Sequence, residues 1–258
     1  MGWSEPNRSH FKASDQWATG SPQGEGAGWL AEAVDRHRRQ GSLVALGPFG
    51  SPALEGGGRV VVPMAPGLRP DQRRTLLDPD RAGPNSVLRR MLELEEEGLG
   101  ELERLLAALP PLPKGLGLPR GGLGPQVALA LRLIGSEACP AVIALAHGGY
   151  DTHANQKKRH QRQLTHLGNA LAGFERGLER LPHRPRVTLL TTSEFGRRLR
   201  TNGSGGTDHG SASISLLLGD QVPHPFLGSY PSLRDLDGRG DLVPSLSPPQ
   251  LYEQVMML

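Results

Sequence analysis

The sequence predicts an α/β fold, and three observations carry that prediction. Two short apolar runs, residues 141–146 and 187–192, have the length and composition of strands. Between them, Leu164, Leu167, Leu171, Phe174, Leu178 and Leu181 recur at spacings of three and four, the mark of an amphipathic helix. A third apolar stretch, Ile214 to Leu218, follows a glycine-rich segment. Strand, helix, strand in this order defines a unit with parallel strands. Such sheets bind ligands beyond the carboxyl ends of their strands, so the residues after each strand become the candidates for function.

The chain of 258 residues is long enough to bury a substantial core and is read as one α/β domain. Residues 1–120 form a variable N-terminal half of helices and loops, and residues 121–258 a core half. Ser9-His10-Phe11 opens a polar segment that ends at Gly20, and Trp29 to Arg39 has a short helical pattern. Val60 to Val62 reads as a strand stopped by Pro63. Asn85 to Leu109 predicts a helix capped by Asn85 or Ser86 and broken near Gly98 and Gly100. Residues 110–124, rich in Pro and Gly, predict a long surface loop or the boundary between the halves. Gln126 to Ile134 is a small apolar helix, and residues 141–146 suit a strand buried on both faces and ended by Gly148-Gly149. The helix that starts at Gln156 stops at Pro182.

Composition narrows the function. With 35 Gly and 23 Pro, much of the chain must be turn and loop. No window of about 18 apolar residues exists, so no membrane span is expected. The residues from Met1 lack the basic and apolar regions of a secretory signal, which leaves localisation open. The single Cys139 excludes an internal disulfide and a cysteine-cluster metal site, and its apolar neighbourhood predicts a buried, inert thiol. The net charge of +3 comes with arginine far in excess of lysine, a compositional bias without the aromatic interleaving of a nucleic-acid binder. No nucleic-acid partner is expected, and the oligomeric state is open.

The first strand is followed by Gly149-Tyr150-Asp151-Thr152-His153-Ala154-Asn155-Gln156, and the second by Ser193-Glu194-Phe195-Gly196-Arg197. Gly205-Gly206-Thr207-Asp208-His209-Gly210 precedes the third. Carboxylates and imidazoles together are the ligand set of zinc, manganese or iron; magnesium and calcium favour fewer histidines. A lone Asp-His pair is more often a turn with a hydrogen-bonded histidine. Three such segments at strand ends point to a metal site at Asp151, His153, Glu194, Asp208 and His209. Arg197 could clamp a phosphate or sulfate through its planar fork, whereas Arg198 and Arg200 read as solvated. Lys157-Lys158-Arg159-His160 reads as a solvated helix face, and Asn155 and Gln156 as loop-shaping or capping residues. His10 reads as an ordinary hydrogen-bonded histidine and His147 as a reserve ligand.

Gly148 to Gln156, Thr192 to Arg197 and Asn202 to Gly210 resemble the signature segments of the DUF1501 family. Pro6 to Phe11, Asp15 to Gly20 and Gly228 to Leu233 resemble further family segments. The likeness is dense over about residues 141–252 and thin over 40–120. It implies kinship with the alkaline phosphatase and sulfatase superfamily: a three-layer core with a mainly parallel sheet, and a site with two divalent metals, zinc foremost, with manganese, iron, magnesium or calcium as alternatives. By motif position, Asp151, His153 and His209 would hold one metal and Glu194 would belong to the other. Asp208 would ligate or orient His209. Ser9 is the motif-borne nucleophile candidate, with a helix N-cap as its competing role. The substrate class implied is a small phosphate or sulfate ester. Family members begin with a strand and a Gly-Gly-x-Asp-Gly type segment that this chain does not show, so a core incomplete at the N-terminus and impaired hydrolysis are expected. The alternative is a catalytically silent metal-binding protein of the same fold that acts through a partner.

Overall fold

The predicted helices and strands recur over at least part of their spans, with altered bounds and different strand partners, in the computed structural model, which describes residues 1–4, 6–36, 43–47, 51–56, 61–63, 78–93, 106–137, 139–182, 184–223 and 225–258. The helices are α1 (His10–Thr19), α2 (Trp29–Arg36), α3 (Leu123–Ile134), α4 (Gln156–Leu178) and α5 (Pro248–Met256). The strands are β1 (Leu43–Ala45), β2 (Val61–Pro63), β3 (Val142–Ala144), β4 (Leu189–Leu190), β5 (Gly196–Thr201), β6 (Thr207–Gly210) and β7 (Leu217–Leu218). Of the predicted 85–109 helix, residues 86–93 and 106–108 are helical, with Asn85 Oδ1 accepting from Leu88 N at 3.0 Å as a cap. Its expected break at Gly98 and Gly100 lies outside the described residues, as do Val60 and the end of the Trp29 to Arg39 pattern.

The main core lies between α3 and α4. Leu123, Val127, Leu131 and Ile134 face Ala170, Phe174 and Leu178, all at most 6 % exposed. Gly177 permits the close approach, since a Cβ there would lie 2.4 Å from Leu131 Cδ1. The Pro/Gly-rich segment 110–124 is a surface loop up to Gly122, as read, and Leu116 pins it to this core. Leu116 is buried in the cluster, and Arg176 Nε donates to its carbonyl at 3.0 Å. Its few apolar side chains settle against a helix pair, a contact that turn-forming composition does not reveal.

Pairing departs from the strand-helix-strand expectation. β3 pairs in parallel with β1, and β1 with β2, in the order β2-β1-β3. β4, expected beside β3, pairs antiparallel with β7. The apolar runs share one pattern, so periodicity locates strands but does not choose their neighbours. β1 is fully apolar, with Leu43, Val44 and Ala45 at most 4 % exposed, and it takes the place beside β3. Of the third apolar stretch, Ile214 to Leu218, Leu217 and Leu218 form a strand while Ile214 is 81 % exposed, and Cys139, read as buried, is exposed in the α3–β3 connection.

A second cluster joins the ends of the chain. Trp3, Trp17, Leu251 and Tyr252 are buried together, Trp29 stacks on Tyr252 at 3.9 Å, and Tyr252 donates to the Trp17 carbonyl at 2.7 Å. α5 starts with a capping box between Ser247 and Gln250 and with Pro248 in its first turn. This cluster anchors α1, whose first residue is His10.

Candidate metal centre

Four segments converge: the loop after β3, the β4–β5 connection, the β5–β6 hairpin and the start of α1. The hairpin was not legible as strands, because Leu199 is the one large apolar residue in Arg197 to Thr201 and Thr207 to Gly210. Arg197 and His209 are cross-strand partners in it. Its turn docks on the loop after β3. Asn155 N donates to Ser204 O at 3.1 Å, Gln156 N to Gly205 O at 3.0 Å, and Asn202 Nδ2 to His153 O at 2.9 Å. Asn155 takes the left-handed conformation at φ 47°, a strained value that Asn tolerates better than most residues. Gly206 lies so close that a Cβ would stand 2.3 Å from the His153 carbonyl carbon and oxygen. Gly206→Ala is therefore expected to lower stability by roughly 1–3 kcal/mol, since backbone must move to admit the methyl group. Thermal melting checks this; an unchanged melt would mean that the two loops do not dock.

Asp151 is the hub. Its Oδ1 lies 2.8 Å from His153 Nε2 and 2.9 Å from His209 Nε2, and the two Nε2 atoms are 3.0 Å apart. On the far side of the rings, His209 Nδ1 meets the Arg8 carbonyl at 3.2 Å and His153 Nδ1 meets Asp208 Oδ1 at 3.3 Å. Both oxygens only accept, as does Asp151 Oδ1 on the other side, so each imidazole has an acceptor at both ring nitrogens. Were both protons on Nδ1, as metal binding at Nε2 requires, the two Nε2 lone pairs and the Asp151 oxygen would be three electron-rich atoms in one small space. A cation among them relieves that repulsion. Ligands about 2.0–2.1 Å from a tetrahedral metal stand about 3.3 Å apart, close to the sides of this triangle. The donor set and spacing thus fit a transition metal.

The other Asp151 oxygen looks the opposite way. His10 Nε2 lies 3.2 Å from Oδ2, and His10 Nδ1 lies 2.7 Å from Glu194 Oε1. His10, Asp151 and His209 each offer a ligand atom within 4.8 Å of the other two, so Asp151 and His209 belong to two overlapping groups. Ser14 Oγ donates to Glu194 Oε2. Phe195 stacks on His209 at 3.8 Å and fixes the ring plane.

The charges follow from these contacts. The Glu194 hydrogen bond raises the His10 pKa against a smaller opposing effect of desolvation, and the charges of Glu194 and Asp151 add to the rise. Desolvation works against ionised Asp151, yet the His209 hydrogen bond and the charges of His153, His209 and His10 hold its carboxyl down at about 2. Asn202, then His153, lower the Asp208 pKa by hydrogen bonding.

The structure sorts the predicted residues. Asp151, His153 and His209 meet directly. Glu194 reaches Asp151 through His10, so His10 is part of the centre and not the ordinary histidine expected. Asp208 orients His153 and not His209, because neighbours on β6 point to opposite faces. Arg197 is a support and not a free anion clamp: it donates to the Tyr150 and Thr207 carbonyls at 2.7 Å each and lies 3.3 Å from Asp151 Oδ1. Arg198, read as solvated, pairs with Asp241 at 3.0 Å. Ser9 is exposed at the N-cap position of α1, and its side chain makes no capping bond. His147 turns away from the centre, 2.8 Å from the Tyr150 hydroxyl and stacked on His166 at 5.0 Å. Asn202 was missed; its Oδ1 accepts from Ser204 N and Gly206 N at 3.0 Å each, which shapes the hairpin turn.

The fold and the imidazole–carboxylate cluster define an α/β-containing protein with a candidate metal centre. Residues 101–233, about half the chain, match the family model DUF1501, described as a protein of unknown function, and the chain belongs to that family. The match includes Asp151, His153, Glu194, Asp208 and His209, whereas Arg8, His10 and Asp241 lie outside it. No curated protein and no solved structure matches the chain.

Proposed function

We propose that this chain binds divalent metal at Asp151, His153 and His209, and hydrolyses phosphate or sulfate esters on a core of the alkaline-phosphatase type. The observation that carries the proposal is the triangle of Asp151 Oδ1 and the Nε2 atoms of His153 and His209, with sides of 2.8, 2.9 and 3.0 Å. His10 and Glu194, on the Asp151 Oδ2 side, make the position for a second cation. Zinc suits two imidazoles and a carboxylate best, ahead of manganese and iron, and further ahead of magnesium and calcium. Bound metal would supply Lewis-acid stabilisation of the ester oxygens and an activated oxygen nucleophile.

The chain's own groups provide the rest. Asp208 and Asn202 hold His153, the Arg8 carbonyl and Phe195 hold His209, and Arg197 fixes the Tyr150–Asp151 backbone. Ser9 presents an exposed hydroxyl at the positive end of α1, one residue before His10, which makes it the side-chain nucleophile candidate. His10 can hold a proton on either ring nitrogen between two carboxylates. One observation favours the second reading, a metal-binding protein without turnover: the Arg197 guanidinium is engaged on backbone carbonyls and is not free to receive the ester.

Elemental mass spectrometry after reconstitution with zinc, manganese or iron, followed by assays on aryl phosphate and aryl sulfate, tests both readings. Bound metal with turnover supports the hydrolase. Bound metal without turnover supports the silent protein, and a folded protein without metal overturns both. The pH dependence is also set. Ligands must be deprotonated to bind metal, so protons favour the metal-free state. Asp151 stays ionised down to about 2, so its own protonation does not drive the loss of metal near neutral pH. The His10 pKa is raised, so on acidification His10 protonates earlier than an ordinary imidazole, and the second cation position that it makes with Glu194 is weakened. Zinc affinity measured by chelator competition from neutral to acidic pH checks it.

A further inference from the structure

We infer that Asp241 is a positioning residue of the metal centre, acting through Arg8 on His209. Asp241 is fully buried, at 0 % exposure, although it is a carboxylate far along the chain from the centre. One oxygen pairs with Arg8 and the other with Arg198 Nε at 3.0 Å. Its own N–H donates to Asp237 Oδ1 at 2.8 Å inside a turn closed by Asp237 N to Asp241 O at 2.9 Å. Arg198 also donates to the Arg239 carbonyl, which ties β5 to the same turn. Three segments distant in sequence thus meet on one buried anion.

A buried carboxylate between two guanidinium groups is a costly way to gain stability, and its best-attested use is to fix one arrangement over others. Here the arrangement fixed is that of His209. Arg8 is the residue whose carbonyl meets His209 Nδ1 at 3.2 Å. Arg198 follows Arg197, the cross-strand partner of His209. Side chains alternate along β5, so Arg197 faces Asp151 while Arg198 faces Asp241. Asp241 therefore restrains both the peptide that receives the Nδ1 proton and the strand beside the ring. It also docks the segment that enters α1 and delivers His10. Metal binding at Nε2 needs the proton on Nδ1, where the Arg8 carbonyl can receive it; a loosened Arg8 peptide would leave the proton to Nε2, beside Asp151 Oδ1, and close the ligand position.

The inference rests on His209 as a metal ligand, and the test separates the two. The tautomer of His209 is read by long-range proton–nitrogen NMR on metal-free protein near pH 8, where an ordinary imidazole is neutral. Zinc affinity is read by chelator competition. The parent is expected to show a population of His209 protonated on Nδ1 in exchange with the Nε2 form. Asp241→Asn and Arg8→Gln are expected to lower that population and to give a zinc affinity lower by roughly 10–100-fold, while Arg8→Lys, which keeps the charge, restores most of both. Arg8→Gln leaves Arg198 to balance Asp241, so it reports even if Asp241→Asn fails to fold. An unchanged tautomer in folded Arg8→Gln overturns the role of Asp241. A changed tautomer in Arg8→Gln, beside a parent that takes up no zinc, upholds that role and removes the metal reading alone.

Discussion

Asp151→Ala is expected to abolish metal retention, with a loss of affinity beyond the roughly 10–100-fold seen when a supporting residue is removed. The reason is the hub position. His153 Nε2, His209 Nε2, His10 Nε2 and Arg197 all approach the two Asp151 oxygens within 3.3 Å. Without the carboxylate, two imidazoles and a guanidinium face one another with no anion between them. A cation brought there would meet only repulsion from Arg197 and two neutral nitrogen ligands. Asp151→Asn tests whether charge or shape matters, since it keeps the size and loses the charge. A folded parent saturated to about 100 times Kd gains about 2.7 kcal/mol from ligand binding, a zinc-dependent rise in Tm that both variants should lack. Retention of zinc by Asp151→Ala at parental affinity would displace the centre from this cluster.

Phe174→Ala is expected to cost about 3–5 kcal/mol, a large share of the ~5–15 kcal/mol that holds an ordinary domain folded. Phe174 is 5 % exposed at the α3–α4 interface among Leu116, Leu123, Val127 and Leu131. The neighbouring helices cannot close the gap freely, because Gly173 and Gly177 already bring α4 against Leu118 and Leu131. A chain of this length should lose roughly 10 °C in Tm, at about 2–4 °C per kcal/mol. Zinc stoichiometry of the protein that remains folded should be unchanged, since Phe174 lies several turns along α4 from Asn155. A cost below about 1 kcal/mol in urea unfolding would mean that this interface is loosely packed in solution.

Much of the local structure was legible. The leucine pattern after Gln156 has the period of a helix and became α4, and the apolar run at 141–146 contains β3. Asp151, His153, Glu194, Asp208 and His209 could be named because carboxylates and imidazoles stand out in glycine-containing segments at the ends of apolar runs. His10 carried a signal too, in its Ser-His-Phe motif, yet nothing local says that the start of α1 lands on Asp151, 141 residues away. The β5–β6 hairpin was hidden because its arginines and threonines lack strand-like alternation of apolar and polar residues.

The sequence by itself determined where helices and strands can form and which side chains are chemically able to hold a metal. Those properties belong to each residue and its near neighbours: backbone preference, apolar period and donor atoms. Only the tertiary structure decided that β3 lies beside β1, that His10 bridges Asp151 and Glu194, that Arg197 supports the Asp151 loop, and that Asp208 orients His153. Each of these depends on which distant segments pack together and on which face of a strand a residue stands. Asp241 shows the limit most clearly: one aspartate in a polar turn, it becomes a buried anchor only because Arg8 and Arg198 arrive from two segments distant in sequence to neutralise it.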